Sequence, residues 1–182
     1  MIEPDTKDWT WVLERPCPEC GYVAGSVAPE ALGAAIRANA AAWRQVLSGP
    51  ADVVRARPRP DVWSPLEYAC HVRDVDEIFA ARVRAMLADG GDEPVRFANW
   101  DQDATAVEKD YASADAATVA DELDAAADDL AALFDSLGAP GGVWEHRGLR
   151  SDGSAFTVAS LGAYYLHDVV HHLHDVGVGA EA

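Results

Sequence analysis

The stretch HDVVHHLHDV, His167 to Val176, holds four of the chain's six histidines: His167, His171, His172 and His174. Imidazoles gathered this closely can bind a metal, titrate together as a pH-sensitive surface, or fall together by chance at a helix end. On a helix each residue turns by about 100°, so positions three or four apart share a face. His171 then sits about 40° round the axis from His167, and His174 about 20° the other way. His172 points toward an adjacent sector with Asp168 and Asp175. His167 and His171 form the i,i+4 pair by which one helix offers two imidazoles to one ion.

An ion needs a third ligand, and His71 is the strongest candidate, because it lies mid-helix in a run that should face the core. Three neutral imidazoles leave coordination positions open, which is the catalytic rather than the structural pattern. Carboxylates should orient the rings from behind, and Glu67, Asp74, Asp168 and Asp175 are placed to do so. Glu67, one turn before His71, is the foremost of these or even a direct ligand. His174 shares the face of the ligand pair and reads as a supporting neighbour or a substitute ligand, and His146 as a satisfied polar residue.

Cys17-Pro18-Glu19-Cys20 is a CxxC. A structural zinc usually needs a second ligand pair, and no second CxxC exists. A redox role prefers a thioredoxin-like βαβ setting, which is not apparent. A structural knuckle or simple packing, redox or disulfide chemistry, and metal binding all stay open for this pair. Cys70 reads as a small buried hydrophobe. Trp100, in NWDQD, belongs near a pocket mouth. Arg147 and Arg150 are either solvated loop arginines or binders of a carboxylate or of the anionic part of a thiol cofactor.

These residues must be positioned by helices. The spacing of Ala31, Ile36, Ala40, Trp43 and Leu47 predicts a first helix from about Pro29 to Leu47, ended by Gly49-Pro50. Ser64, Pro65 and Glu67 form a capping box that opens a second helix, which runs to a stop at Gly90-Gly91. A third spans about Asp115 to Leu137, with the acidic run DELDAAADDL as a solvent face. The fourth runs from about Val158 to Val176 and carries the histidines, with Gly177 as its C-cap. Four helices of this length predict an all-α four-helix bundle. A short hairpin about Asp152-Gly153 is compatible with the sequence. The loop between helices two and three is too long for a simple connector and reads as a lid or as disorder. The expected division is an N-terminal extension over 1–27, bearing the CxxC, and a bundle over 28–182.

Composition narrows the partners. A formal net charge of −17 and a pI near 4.5 disfavour nucleic acid and anionic membranes, since phosphates are held by Lys and Arg. A small molecule or a protein is left. Three cysteines, an odd number, do not suggest a secreted disulfide framework. MIEPDTKDWTW lacks the pattern of a signal peptide, no stretch has the apolar length of a membrane span, and a cytoplasmic protein is expected.

VWSPLEYACHVRDV, from Val62, together with LHDVVHHLHDV near the end, resembles the DinB-like superfamily of metal-binding four-helix bundles. The resemblance covers about Ala28 to Val176 and is most specific at Trp63, Ser64, Glu67, His71 and Asp74. It implies one histidine from the second helix and a His/Glu-x-x-x-His pair from the last as ligands of zinc, nickel or iron, which here are His71, His167 and His171. The superfamily includes transferases that use mycothiol, bacillithiol or related thiols, and a mycothiol-dependent maleylpyruvate isomerase. The resemblance therefore implies a thiol S-transferase, with a low-molecular-weight thiol activated by the metal against a small electrophile. The alternatives are a non-catalytic, stress-associated metal-binding protein that forms a homodimer, and a metal-dependent hydrolase.

Overall fold

The fold is that of a computed structural model, in which residues 8–88 and 93–178 are described. Helix α1 (Leu32–Leu47), the short α2 (Ala51–Val54), α3 (Pro65–Ala88), the short α4 (Gln102–Glu108), α5 (Ala116–Asp135) and α6 (Val158–Asp175) follow one another along the chain. The four long helices make a bundle in which α1 and α3 each pack against α5 and α6. They correspond to the four helices expected from periodicity. The expected Gly90-Gly91 stop lies outside the described residues.

Side chains at the helix ends account for where the helices begin. Ser64 and Glu67 close the expected capping box: the Ser64 backbone N–H donates to Glu67 Oε2 at 2.9 Å, and the Glu67 N–H to Ser64 Oγ at 3.3 Å. Asp115 caps α5 by accepting from the Thr118 N–H. Thr157 and Ser160 form a second capping box that starts α6 directly before the histidines. The apolar stripe of α1 (Ile36, Ala40, Trp43, Leu47) meets Val119, Leu123 and Leu130 of α5 in one core. Gly162 lets α6 approach α1, since a Cβ there would lie 2.7 Å from Leu32 Cδ1.

The acidic face of α5 is exposed, as expected, but it is also paired. Arg37 and Arg44 of α1 reach Asp128, Asp135, Asp121 and Asp124, while Arg73 and Arg84 of α3 reach Glu122 and Asp129. Such exposed pairs each contribute roughly 0–1 kcal/mol.

The all-α expectation needs one correction: the bundle carries a three-stranded sheet in the order β1-β2-β3. Strands β2 (Arg147–Arg150) and β3 (Ala155–Thr157) form the antiparallel hairpin about Asp152-Gly153, and β1 (Val95–Phe97) from the long loop pairs parallel to β2. Three residues of β1 carry too short a pattern to stand out from loop sequence. The pairing brings Phe97 over Gly148, where a Cβ would fall 2.5 Å from the ring. From Glu93 onward the long loop thus forms a wall of the molecule.

The described part of the N-terminal extension is folded onto the bundle. A 3-10 turn, Thr10–Leu13, lies against α6, and Val12, Cys17 and Tyr22 are buried. Tyr22 donates its hydroxyl to the Ala163 carbonyl of α6 at 2.9 Å. Residues 1–7 of the expected extension lie outside the described residues. No helix among the described residues is long and apolar enough to cross a membrane.

Candidate metal centre

A cleft of about 760 Å³ opens between α3, α6 and the described part of the long loop. Tyr68, His71, Phe79 and Arg82 of α3 line one side, and Tyr164, His167, Asp168, His171, His172 and Asp175 of α6 another. Trp100 and its neighbours on the loop form a third wall, and Trp9 and Glu19 of the N-terminal segment a fourth. Helix α6 meets potential ligands on two of its faces.

On the cleft face His71, Asp168 and His172 each turn one donor atom inward, and these atoms all lie within 4.8 Å of one another. His71 Nε2 is 3.6 Å from Asp168 Oδ2, and His172 Nε2 is 3.5 Å from Asp168 Oδ1. The His71 ring is 1% exposed, and neither of its nitrogens has a hydrogen-bond partner. A buried polar atom left without a partner is costly. Burial pushes the His71 pKa down and keeps the ring neutral, as a ligand must be. Trp100 stacks on the ring at 5.2 Å and Trp63 packs at 5.3 Å, so its orientation is fixed from both sides.

His172 is held differently. Its Nδ1 lies 2.9 Å from Asp175 Oδ2, the carboxylate support that a ligating imidazole usually has. Burial alone would lower its pKa, but Asp168 and Asp175 outweigh that and raise it to about 9. The same ring contacts hold Asp168 well below the usual carboxylate range, against the opposing effect of burial. Two imidazoles and one carboxylate within 4.8 Å, with an orphaned buried histidine among them, fit a divalent ion.

The face of α6 toward the N-terminal segment gathers a second set: Cys17, Cys20, His167 and His171, also with donor atoms within 4.8 Å of one another. Cys17 Sγ lies 3.6 Å from His171 Nδ1, and His167 Nε2 is buried without a partner. Burial and the neighbouring His171 lower the His167 pKa to about 4, and burial lowers that of His171 as well. Burial raises Cys20 to about 11, against the Tyr22 backbone N–H, which favours its thiolate.

The model of the DinB superfamily matches residues 31–176 of the chain. The chain belongs to the DinB superfamily. Among solved structures it is similar to YfiT from Bacillus subtilis, described as a probable metal-dependent hydrolase with an unusual four-helix bundle topology. The two share 17% identity over 88% of each chain, with a TM-score of 0.69, a likeness of fold. No curated protein sequence matches the chain.

In this DinB bundle the expected ligand trio does not gather as one. His71 meets Asp168 and His172, whereas His167 and His171 turn to the cysteines. The i,i+4 register that faces α3 is Asp168/His172, one residue beyond the expected His167/His171 pair. Helical spacing fits both registers, and only the packing of α6 selects between them.

The expected supporting residues also move. Glu67 is bound by Arg57 and Ser64, and Asp74 by Arg73, Lys109 and Tyr111, so neither carboxylate backs His71. Their capping and tertiary partners claimed them first. His174 lies 6.1 Å from the His171 ring and outside both donor sets. Asp175 does orient a ring, that of His172. Trp100 lines the cleft as expected, and His146 is satisfied by the Met86 carbonyl at 3.0 Å.

The far end of the cleft of this DinB protein carries two guanidinium groups. Arg150 lines it, held by Asp152 at 2.8 Å, and Arg147 does not. Arg82 was not recognised from sequence. It is 9% exposed, lies over the rings of Phe79 and Phe97, and donates to the Ala98 carbonyl. Among the described residues no carboxylate forms an ion pair with it. Burial and the neighbouring Arg150 lower its pKa to about 10, which still leaves it charged at neutral pH.

Proposed function

We propose that this DinB protein is a metal-dependent enzyme that transfers a low-molecular-weight thiol to a small electrophile bearing an anionic group. The observation that carries the reading is the buried His71, with both nitrogens unpartnered, facing Asp168 and His172 at the wall of a cleft. These three residues would hold one divalent ion. Such an ion supplies Lewis acidity, lowering the pKa of a thiol or water brought to it. His71 and His172 contribute neutral nitrogens, and Asp168 a charge that offsets part of the ion's own. Asp175 orients His172, while Trp63 and Trp100 fix His71 and exclude water from it.

None of the three cysteines lines the cleft, so the nucleophilic sulfur has to come from outside the chain. Arg82, a buried cation without a carboxylate partner among the described residues, and Arg150 suit an anionic substituent on the electrophile. In the transfer a carbon–sulfur bond forms as the bond to the leaving group breaks. The leaving group departs with the electron pair, and the thiol proton goes to solvent.

Hydrolysis is the second reading, because the same donors would serve a water and YfiT, of like fold, is described as a probable metal-dependent hydrolase. The metal-loaded protein should be assayed for loss of the electrophile, and of free thiol where thiol is added, against a panel of anionic electrophiles with and without added thiol. Turnover that requires the thiol and disappears in His71→Ala supports transfer. Thiol-independent turnover that disappears in His71→Ala supports hydrolysis. Inactivity with a full complement of metal contradicts both.

A further inference from the structure

The second donor set has no part in the proposed reaction, although its two histidines, His167 and His171, also border the cleft. We propose that Cys17, Cys20, His167 and His171 form a closed, tetrahedral zinc site that fastens the N-terminal segment to α6. The site is structural, and it is distinct from the one at His71.

The donor chemistry comes first. Two thiolates and two imidazoles are the ligands of closed zinc sites, and two thiolates neutralise the ion's charge. Four protein ligands leave no position for a substrate. In such a site neighbouring donors stand roughly 3.3–3.8 Å apart, from bond lengths of about 2.0–2.3 Å. The four donor atoms here are all within 4.8 Å, and Cys17 Sγ and His171 Nδ1 are already 3.6 Å apart. A contraction of side-chain torsions is enough to close the set.

Each element of the set is built for that role. The chain turns sharply at the cysteines: the Cys17 N–H donates to the Tyr22 carbonyl at 2.8 Å, and the Gly21 N–H to the Cys17 carbonyl at 2.9 Å. Gly21 has φ +74°, a conformation that favours glycine, and this turn sends both sulfurs toward α6. His171 faces Glu19 and Asp175 with Nε2, at 3.5 and 3.7 Å, which leaves Nδ1 for the ion beside Cys17. His167 is 3% exposed, with Nε2 buried and unpartnered among the rings of Trp9 and Tyr22. That is the independent mark of a missing ligand. A redox CxxC would instead keep a nucleophilic thiol accessible, whereas Cys17 is 1% exposed.

The clasp joins residues 154 positions apart in the chain and holds Trp9 and Glu19 in the wall of the cleft. It therefore connects the N-terminal segment to the site at His71 without sharing a ligand with it.

Cobalt substitution tests the proposal on the intact protein, because only a site with cysteine ligands gives thiolate-to-cobalt charge-transfer absorption. The parent should show that absorption, saturating at one equivalent per chain, and His71→Ala should keep it in full. The double variant Cys17→Ser/Cys20→Ser should lose it while still binding one cobalt. In the zinc-loaded parent Cys17 and Cys20 should resist a thiol reagent, and a chelator should release both. The proposal is overturned by a parent without the charge-transfer absorption, by its loss in His71→Ala, or by a Cys17–Cys20 disulfide in the metal-loaded protein. The parent and His71→Ala measurements do not depend on the cysteine variant folding. Neither bears on whether the His71 site is catalytic.

Discussion

The two faces of α6 use almost the same residue types to opposite ends. Toward the N-terminal segment, His167 and His171 meet two cysteines in a set of four donors, buried except for the half-buried Cys20. Toward α3, Asp168 and His172 meet His71 in a set of three that borders the cleft. Four protein ligands would close the first set, although its two histidines also border the cleft, whereas three would leave the second open. What separates structural from catalytic character here is not the helix or its histidines but what each face is given to pack against. Shifting by one residue along α6 exchanges the two cysteines for His71 as the partner.

That comparison can be broken most forcefully at the cysteines. Cys17→Ser/Cys20→Ser should destabilise the protein by about 4 kcal/mol at a metal concentration 1,000-fold above the dissociation constant. For a chain of this size that is a fall in Tm of roughly 8–16 °C, read by thermal denaturation with and without chelator. The chelator should lower the Tm of the parent much more than that of the variant. If both respond equally, the cysteine set is not a metal clasp.

His71→Ala and Asp168→Ala should act on the other side of the comparison. Each should lower turnover by about 100-fold or more, as expected for loss of a metal ligand rather than of an orienting partner. The chelator-dependent part of the Tm that is assigned to the cysteines should survive. Arg82→Met should be milder: KM for an anionic electrophile rises roughly 10- to 100-fold, matching the loss of about 1.5–3 kcal/mol for a charged hydrogen bond. A neutral analogue should be unaffected, and an equal effect on both would remove the anion-binding role.

The smallest effect is expected at Glu67, which the structure separates from both sets. Burial alone would raise its pKa, but Arg57 and Ser64 outweigh that and hold it below the usual value. Its contribution to stability is therefore complete above about pH 4.3 and is lost as the pH falls through its lowered value. Glu67→Gln should cost about 1 kcal/mol near neutral pH through the capping box and should flatten the acid limb of stability. Denaturant unfolding at a series of pH values measures both. A change in metal content would instead return Glu67 to the site.

Much of this was legible in the sequence for identifiable reasons. The four helices are long and strongly periodic, and Ser64 with Glu67 marked the start of α3 within a residue. His71 and the helical histidine run drew attention because imidazoles are few in the chain. The division of that run was not legible. Asp168/His172 has the same spacing as His167/His171, and a carboxylate between histidines reads as support before it reads as a ligand. The CxxC and the HxxxH together make up the donor set of a closed zinc site, but such pairs usually lie close in sequence, and here 154 positions separate Cys17 from His171. Arg82 gave no signal, since one arginine among helical charges looks solvated until its neighbours are known. Strand β1 was hidden because its register is set by β2 and not by its own pattern.

If α6 carries two separate metal sites, the metal stoichiometry of the protein must show it. Elemental analysis of the purified, metal-saturated parent should give two divalent ions per chain. Cys17→Ser/Cys20→Ser and His71→Ala/Asp168→Ala should each retain one, and the combination of all four substitutions none. A parent that saturates at a single ion, lost equally in both double variants, would mean that the cysteines and His71 serve one site and would contradict the account.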